Sequence, residues 1–183
     1  MIIPDTSTSA LLVIDMQERL INAMTDADKC LARAKILLQG ASLLGLDIIV
    51  TEQYPKGLGC TSEYLRNVIN VKKTPIIEKT SFSCFGSPEF SAEVKRKLRK
   101  SLFICGIESH VCVLQTVIDA NNAGYNVFVI SDAVTSRKKD DLDRALELMQ
   151  KNGADVISTE TMLFMLMGSS RHPQFKKISE LIK

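Results

Sequence analysis

The sequence lacks a disulfide framework. Its five cysteines, at 30, 60, 84, 105 and 112, are odd in number, and their spacings match no zinc site. Reduced thiols in a cytoplasmic protein are the expectation. Charge of one sign is missing too: 23 Lys and Arg face 21 Asp and Glu, a net charge of +2. Nothing in that balance favours nucleic acid or a membrane surface as the main ligand. The basic runs 95–100 and 137–139 are short and read as solvated helix faces. No apolar run approaches the ~18 residues of a membrane span, and the first residues show no signal-peptide pattern. Internal repeats, low-complexity tracts and interdomain linkers are absent as well. What remains is a chain of 183 residues, 45% hydrophobic, read as one domain over 1–183 with a sizeable core.

Residues 10–15 form a continuous apolar run that ends on an acid, the pattern of a strand buried on both faces. A helical pattern follows over 28–44, with Leu31, Ala34, Leu37, Leu38, Ala41 and Leu44 on one face and Gly45 as its stop. Further strands are expected at 46–51, 74–79, 101–105, 125–130 and 154–158. The helices between them are expected near Pro88, with Ser87 as N-cap, and over 111–123 and 140–151. Two more are expected at 159–167, with Thr159 as a partial cap, and 173–182. Strands alternating with helices imply parallel pairing and right-handed crossovers. The fold class is α/β: a doubly wound three-layer αβα sandwich around a six-stranded parallel sheet. Ligands in such folds bind beyond the carboxyl ends of the strands. The longest irregular stretch, 52–73, is of a length that is often functional.

Three polar residues stand at expected strand ends: Asp15 after the first, Lys79 after the third and Cys112 after the fourth. An acid, a cation and a nucleophile on one sheet edge suit covalent acyl transfer. Cys112 is placed at the start of a helix, where free N–H groups and about half a positive charge favour thiolate over thiol. Asp15 can accept the thiol proton and return it to a leaving group. Lys79 can hold both in their charged forms. Taken singly, each residue also has a structural reading: Asp15 as a turn cap, Lys79 as a surface charge, Cys112 as apolar filler.

The chain resembles the isochorismatase-like cysteine hydrolases. The resemblance rests on residues 12–17 (Leu-Val-Ile-Asp-Met-Gln), 79–82 (Lys-Thr-Ser-Phe), 106–113 (Gly-Ile-Glu-Ser-His-Val-Cys-Val) with Gln115 and Thr116, and Ser131-Asp132-Ala133. It runs from about Ser9 to Ile157 and is strongest toward the isochorismatase domain-containing proteins. It implies that Asp15, Lys79 and Cys112 form a catalytic triad, that the Ile107–Glu108 bond is cis, and that the N–H groups of Glu108 and Cys112 form an oxyanion hole. It implies hydrolysis of amide or related C–N bonds through a thioester, or cleavage of the vinyl ether of isochorismate, by oligomers of two or more chains. Relatives with a metal site build it from Asp and His after the second strand. Here that region reads Thr51-Glu-Gln-Tyr-Pro without His, so neither metal nor other cofactor is expected.

The expected partner is a small-molecule substrate of a metal-independent hydrolase. Gln17, Tyr54, Phe82, Cys84, Ile107 and His110 are candidates to line its pocket, with a packed aromatic loop the alternative for 82–85. Glu108 and His110 can pair with each other, touch substrate or simply sit at the helix start. Arg137 can bind a substrate carboxylate or form an interface salt bridge. The apolar segment 161–167 fits core packing or an oligomer interface. A non-catalytic interaction protein on the same fold is the rival from another class.

Overall fold

The computed structural model describes residues 3–96 and 99–183. Six strands form one parallel sheet: β1 (Ser9–Ile14), β2 (Asp47–Gln53), β3 (Ile76–Lys79), β4 (Ser101–Gly106), β5 (Asn126–Val134) and β6 (Asp155–Ile157). Their order is β3-β2-β1-β4-β5-β6. The chain winds outward from β1 through β2 to β3, then returns to place β4 on the other side of β1. The direction reverses between β1 and β4, where doubly wound sheets open a binding crevice.

Nine α-helices accompany the sheet among the described residues: α1 (Glu18–Ile21), α2 (Ala27–Leu44), α3 (Pro55–Leu58), α4 (Glu63–Arg66), α5 (Pro88–Arg96), α6 (Leu114–Asn122), α7 (Lys139–Lys151), α8 (Thr159–Met167) and α9 (Phe175–Ile182). The alternation of side chains along each strand divides the interior into two cores. Leu11, Val13, Phe103, Cys105, Phe128 and Ile130 point toward α2 and α8. Ala10, Leu12, Ile14, Leu102, Ile104, Val127 and Val129 point toward α5, α6 and α7. Apolar runs without polar alternation are therefore what the inner strands require.

At the reversal β1 and β4 press together. A Cβ on Gly106 would stand 2.2 Å from the Ile14 carbonyl oxygen, and its φ of +131° is one that L side chains rarely adopt. Glycine alone fits there.

Several boundaries differ from the sequence reading. β5 runs on to Val134, so Ser131, Asp132 and Ala133 lie within the strand, with a register shift opposite Ile104 and Gly106. The irregular stretch contains the one-turn helices α3 and α4, and its first residues, Glu52 and Gln53, extend β2. The cap of α8 is Ser158, whose side chain accepts from the Thr161 N–H; Thr159 is instead held by Asp132, which accepts from its N–H and hydroxyl at 2.8 and 2.9 Å. Within α8, Met162, Leu163 and Met167 are buried. They pack against α2 and α9, so one side of the apolar 161–167 segment is interior, while Phe164 is exposed.

Of the basic run 95–100, Lys97 and Leu98 lie outside the described residues. Arg99 is no solvated charge: it is buried, donates to the Val94 carbonyl at 3.2 Å and pairs with Asp47 at 3.2 Å.

Candidate active site

The Asp15 and Lys79 side chains meet at the carboxyl edge, fully buried, with Lys79 Nζ 2.6 Å from Asp15 Oδ2. Asp15 leaves β1 with a φ of 52°, a left-handed conformation uncommon outside glycine, and its N–H donates to the Thr51 carbonyl at 3.1 Å. That turn aims its carboxylate back under the sheet edge. Lys79 ends β3 directly opposite Gln53 in the ladder.

The ammonium is surrounded by acceptors. Besides Asp15 it donates to Gln53 Oε1 at 2.7 Å, the Phe82 carbonyl at 3.0 Å and the Ser81 carbonyl at 3.2 Å. The other Asp15 oxygen accepts from the Thr51 hydroxyl at 2.7 Å. Burial disfavours the Lys79 charge and the paired Asp15 carboxylate favours it, and the net effect holds its proton above the ordinary lysine value. Burial pushes Asp15 above the usual carboxylate range, against Lys79 and Thr51, which pull it down.

Cys112 is nearly buried and lies beside the Asp15 carboxylate. It is the fourth residue of a wide turn, Ser109–Val113, that leads into α6. The Glu108 carbonyl accepts from Val111 N–H and Val113 N–H at 3.1 and 3.2 Å, and the Ile107–Glu108 bond is cis. The expectation of a thiolate at rest is overturned. Burial first, and then the Asp15 carboxylate, push the Cys112 thiol up to about 12. Desolvation and a like charge outweigh the helix start, so the resting sulfur keeps its proton and faces a base.

Two tethers hold the Cys112 segment and α6 to the loop that follows Lys79. The Thr116 hydroxyl donates to the Cys112 carbonyl at 2.7 Å and accepts from the Cys84 N–H at 3.0 Å. The Ser83 hydroxyl donates to Asp119 Oδ2 at 2.5 Å.

The pocket candidates separate into rim and interior. Tyr54 and Phe82 are exposed large hydrophobics at the sheet edge. Gln17, Ile107 and Cys84 are interior, against the sequence expectation, and His110 is half-buried. Gln17 is fully buried: its Oε1 accepts from Gln53 N–H at 2.7 Å, and its Nε2 donates to the carbonyls of Gln53 and Gly59 at 3.0 and 2.6 Å. Ile107 belongs to the α2-side core. Cys84 packs in the α5–α6 core, where burial pushes its thiol up to about 11. Glu108 and His110 do not pair: Glu108 Oε2 binds Arg137 Nε at 2.8 Å, and His110 Nδ1 lies 3.0 Å from Ser136 Oγ.

A cleft of about 410 Å³ runs along the β3 edge, lined by Tyr54, Lys56, Lys79, Thr80, Ser81 and Ser87. It reaches Lys79 but neither Asp15 nor Cys112, so it lies beside the acid and thiol rather than over them. Among the described residues, no group of three or more His, Cys, Asp or Glu side chains could hold a metal ion.

Thr51, Gln53 and Thr116 are the site residues that sequence reasoning missed. Thr51 and Gln53 sit two apart on β2 and therefore share a face. The signal was present, but ending the strand at Thr51 assigned Gln53 to the loop.

The chain matches the isochorismatase domain over residues 9–161. It belongs to the isochorismatase family. Isochorismatase family protein 1B of Dictyostelium discoideum is 39% identical, over 100% of this chain and 88% of that protein. A Caenorhabditis elegans structure described as MAR1 ribonuclease superposes with a TM-score of 0.91 at 38% identity, covering 97% of this chain and 91% of that one. The Escherichia coli YcaC gene product, described as an octameric hydrolase of unknown specificity, gives a TM-score of 0.91 over 97% of this chain and 88% of its own, at 24% identity. At that identity the likeness shows the fold alone. Isochorismatase-family membership supports a hydrolase in general, and no described helix is long and apolar enough to cross a membrane.

Proposed function

We propose that the protein is a metal-independent cysteine hydrolase of a small amide or related C–N substrate, acting through a thioester. The observation that carries this reading is the thiol of Cys112 beside the buried Asp15–Lys79 pair. Cys112 Sγ attacks the carbonyl carbon while its proton passes to Asp15. The carbonyl oxygen becomes an oxyanion, received by the backbone N–H groups of Glu108 and Cys112. Asp15 returns the proton to the leaving nitrogen, and the C–N bond breaks to leave an acyl thioester. Asp15 then takes a proton from water, whose oxygen attacks the thioester, and the acid departs as the thiol is restored. Lys79 stays charged throughout and stabilises the carboxylate form of Asp15.

The alternatives are a vinyl-ether hydrolase acting on isochorismate and a non-catalytic interaction protein. The proposal includes a cytoplasmic homo-oligomer of two or more chains. Five free thiols are consistent with a reducing compartment, and the octameric YcaC protein is the structural precedent for assembly.

The deciding experiment incubates the protein with a panel of small amides, isochorismate and an RNA, the last suggested by the description of the C. elegans neighbour. Mass spectrometry of the quenched protein is expected to find an acyl adduct on Cys112. Cys112→Ala is expected to abolish turnover without unfolding the chain. Turnover retained by Cys112→Ala overturns the reading, as does RNA or isochorismate cleavage with no amide turnover.

A further inference from the structure

The catalytic pair is held from a third side by residues that carry no charge. Strand β2 lies between β1, which delivers Asp15, and β3, which delivers Lys79. From one face of β2, Thr51 donates its hydroxyl to Asp15 Oδ1 and Gln53 offers its amide oxygen to Lys79 Nζ, both at 2.7 Å. The two contacts have opposite polarity. A donor on a carboxylate favours its anion, and an acceptor on an ammonium favours its cation.

Gln53 is itself fixed. The buried Gln17 side chain grips its N–H and its C=O, and its own Nε2 donates to the Thr80 carbonyl at 2.8 Å. Thr51 is buried, and its neighbour Glu52 is turned to the opposite face, where it binds the Thr61 N–H and hydroxyl at 2.6 and 2.7 Å. The titratable groups facing the pair are then Cys112 from the turn before α6 and Cys84 from the loop after β3. Neither adds a fixed charge at neutral pH. A second carboxylate from β2 would compete with Asp15 for the ammonium; a hydroxyl and an amide do not.

We propose that Thr51 and Gln53 are positioning residues that keep the Asp15–Lys79 pair ionised, so that Asp15 is ready to take the Cys112 proton. The proposal rests on the hydrolase reading, in which Asp15 is the base. If β2 stabilises both charges, removing either contact makes Asp15 harder to ionise. A Thr51→Val change deletes the donor at nearly constant shape. A Gln53→Leu change deletes the acceptor, weakens the ammonium and so acts on Asp15 in the same direction.

The test uses iodoacetamide, whose carbon forms a thioether with Cys112 Sγ as iodide leaves and the thiol proton goes to Asp15. The labelling rate of Cys112 is followed by mass spectrometry against pH. Exposed Cys60 serves as the reference thiol in the same molecule. In the wild type, Cys60 labelling is expected to decline steadily on acidification as its thiolate is lost, whereas Cys112 labelling is expected to hold level and to fall only where Asp15 takes up a proton. Thr51→Val and Gln53→Leu are each expected to move that fall upward by about one pH unit, and Thr51→Ser to leave it within about 0.3 unit because the hydroxyl is kept. Thermal melts identify any variant that fails to fold, and each of the two deletions tests its own contact. A fall present in the wild type and unmoved in a folded Thr51→Val or Gln53→Leu variant overturns the inference while leaving the hydrolase reading intact. A wild-type Cys112 rate that simply tracks Cys60, with no level region before its fall, overturns both. A Thr51→Ser shift as large as that of Thr51→Val assigns Thr51 to packing and overturns its role.

Discussion

Gly106 and the Ile14 carbonyl are pressed together where the sheet changes direction: a Cβ on the glycine would lie 2.2 Å from that oxygen. The neighbouring Ile107 N–H donates to the same oxygen at 3.0 Å. This pinch sets the spacing between the strand that leads into Asp15 and the strand that leads into the Cys112 turn.

A Gly106→Ala change is therefore expected to be severe. The added methyl meets backbone, which cannot swing aside as a side chain could. A loss of at least about 3 kcal/mol is expected, measured as a drop in the urea midpoint, with the chain partitioning into the insoluble fraction at growth temperature as the extreme form.

The buried pair predicts an asymmetric double-mutant result. Lys79→Met leaves Asp15 without its cation in a site that excludes water, a loss of about 3–5 kcal/mol. Adding Asp15→Leu to Lys79→Met is expected to recover most of that stability while activity stays absent. Chemical denaturation of the two variants checks it.

Stability is expected to fall on the alkaline side. Burial pushes the Cys30 and Cys112 thiols up to about 12 and Cys84 to about 11, and raises Cys105 as well. The unfolded chain loses these protons first, above the ordinary thiol value of 9.0. The stability is thus complete below pH ~9 and declines as pH rises toward the folded values, by up to about 1.4 kcal/mol per pH unit for each thiol. Urea midpoints between pH 8 and 11 measure the slope, and Cys84→Ala is expected to reduce it by one thiol's share.

Gln17→Leu removes a side chain that satisfies the backbone of two segments. Gln53 N–H and the Gly59 carbonyl, both half-buried, are left unpaired, at about 1 kcal/mol each, the low end for such groups. Limited proteolysis is expected to cut the 54–61 loop faster in this variant than in the wild type.

The fold was largely legible because both faces of the sheet are covered. Inner strands such as 10–14 and 102–105 are apolar without interruption, and helix stops at Gly45, Gly124 and Gly153 punctuate them. The proposed trio was legible as a candidate because each member sits at the end of an apolar run, where a polar residue stands out. What surrounds the trio was not. Gln17, Gln53 and Thr116 make backbone and side-chain contacts across tens of residues of chain, and a single polar residue in a sequence does not say whether it faces substrate or a carbonyl. The sequence accordingly points Gln17 at the pocket, whereas its amide is spent on Gln53 and Gly59. The Cys112 proton followed the same logic. Position at a helix start is visible in sequence, whereas the burial that outweighs it is not.

The three side chains proposed to react do not ride on equally firm ground. Asp15 and Cys112 follow β1 and β4, which are paired on both sides, whereas Lys79 closes a four-residue strand that is paired on one side only. Amide exchange should release β3 before β1 or β4, since the least anchored segment opens first. The site would then lose its cation while the thiol and its acid still stand together. On the proposed mechanism, mild stress would then silence the protein without taking it apart, and re-zipping a single outer strand would restore it.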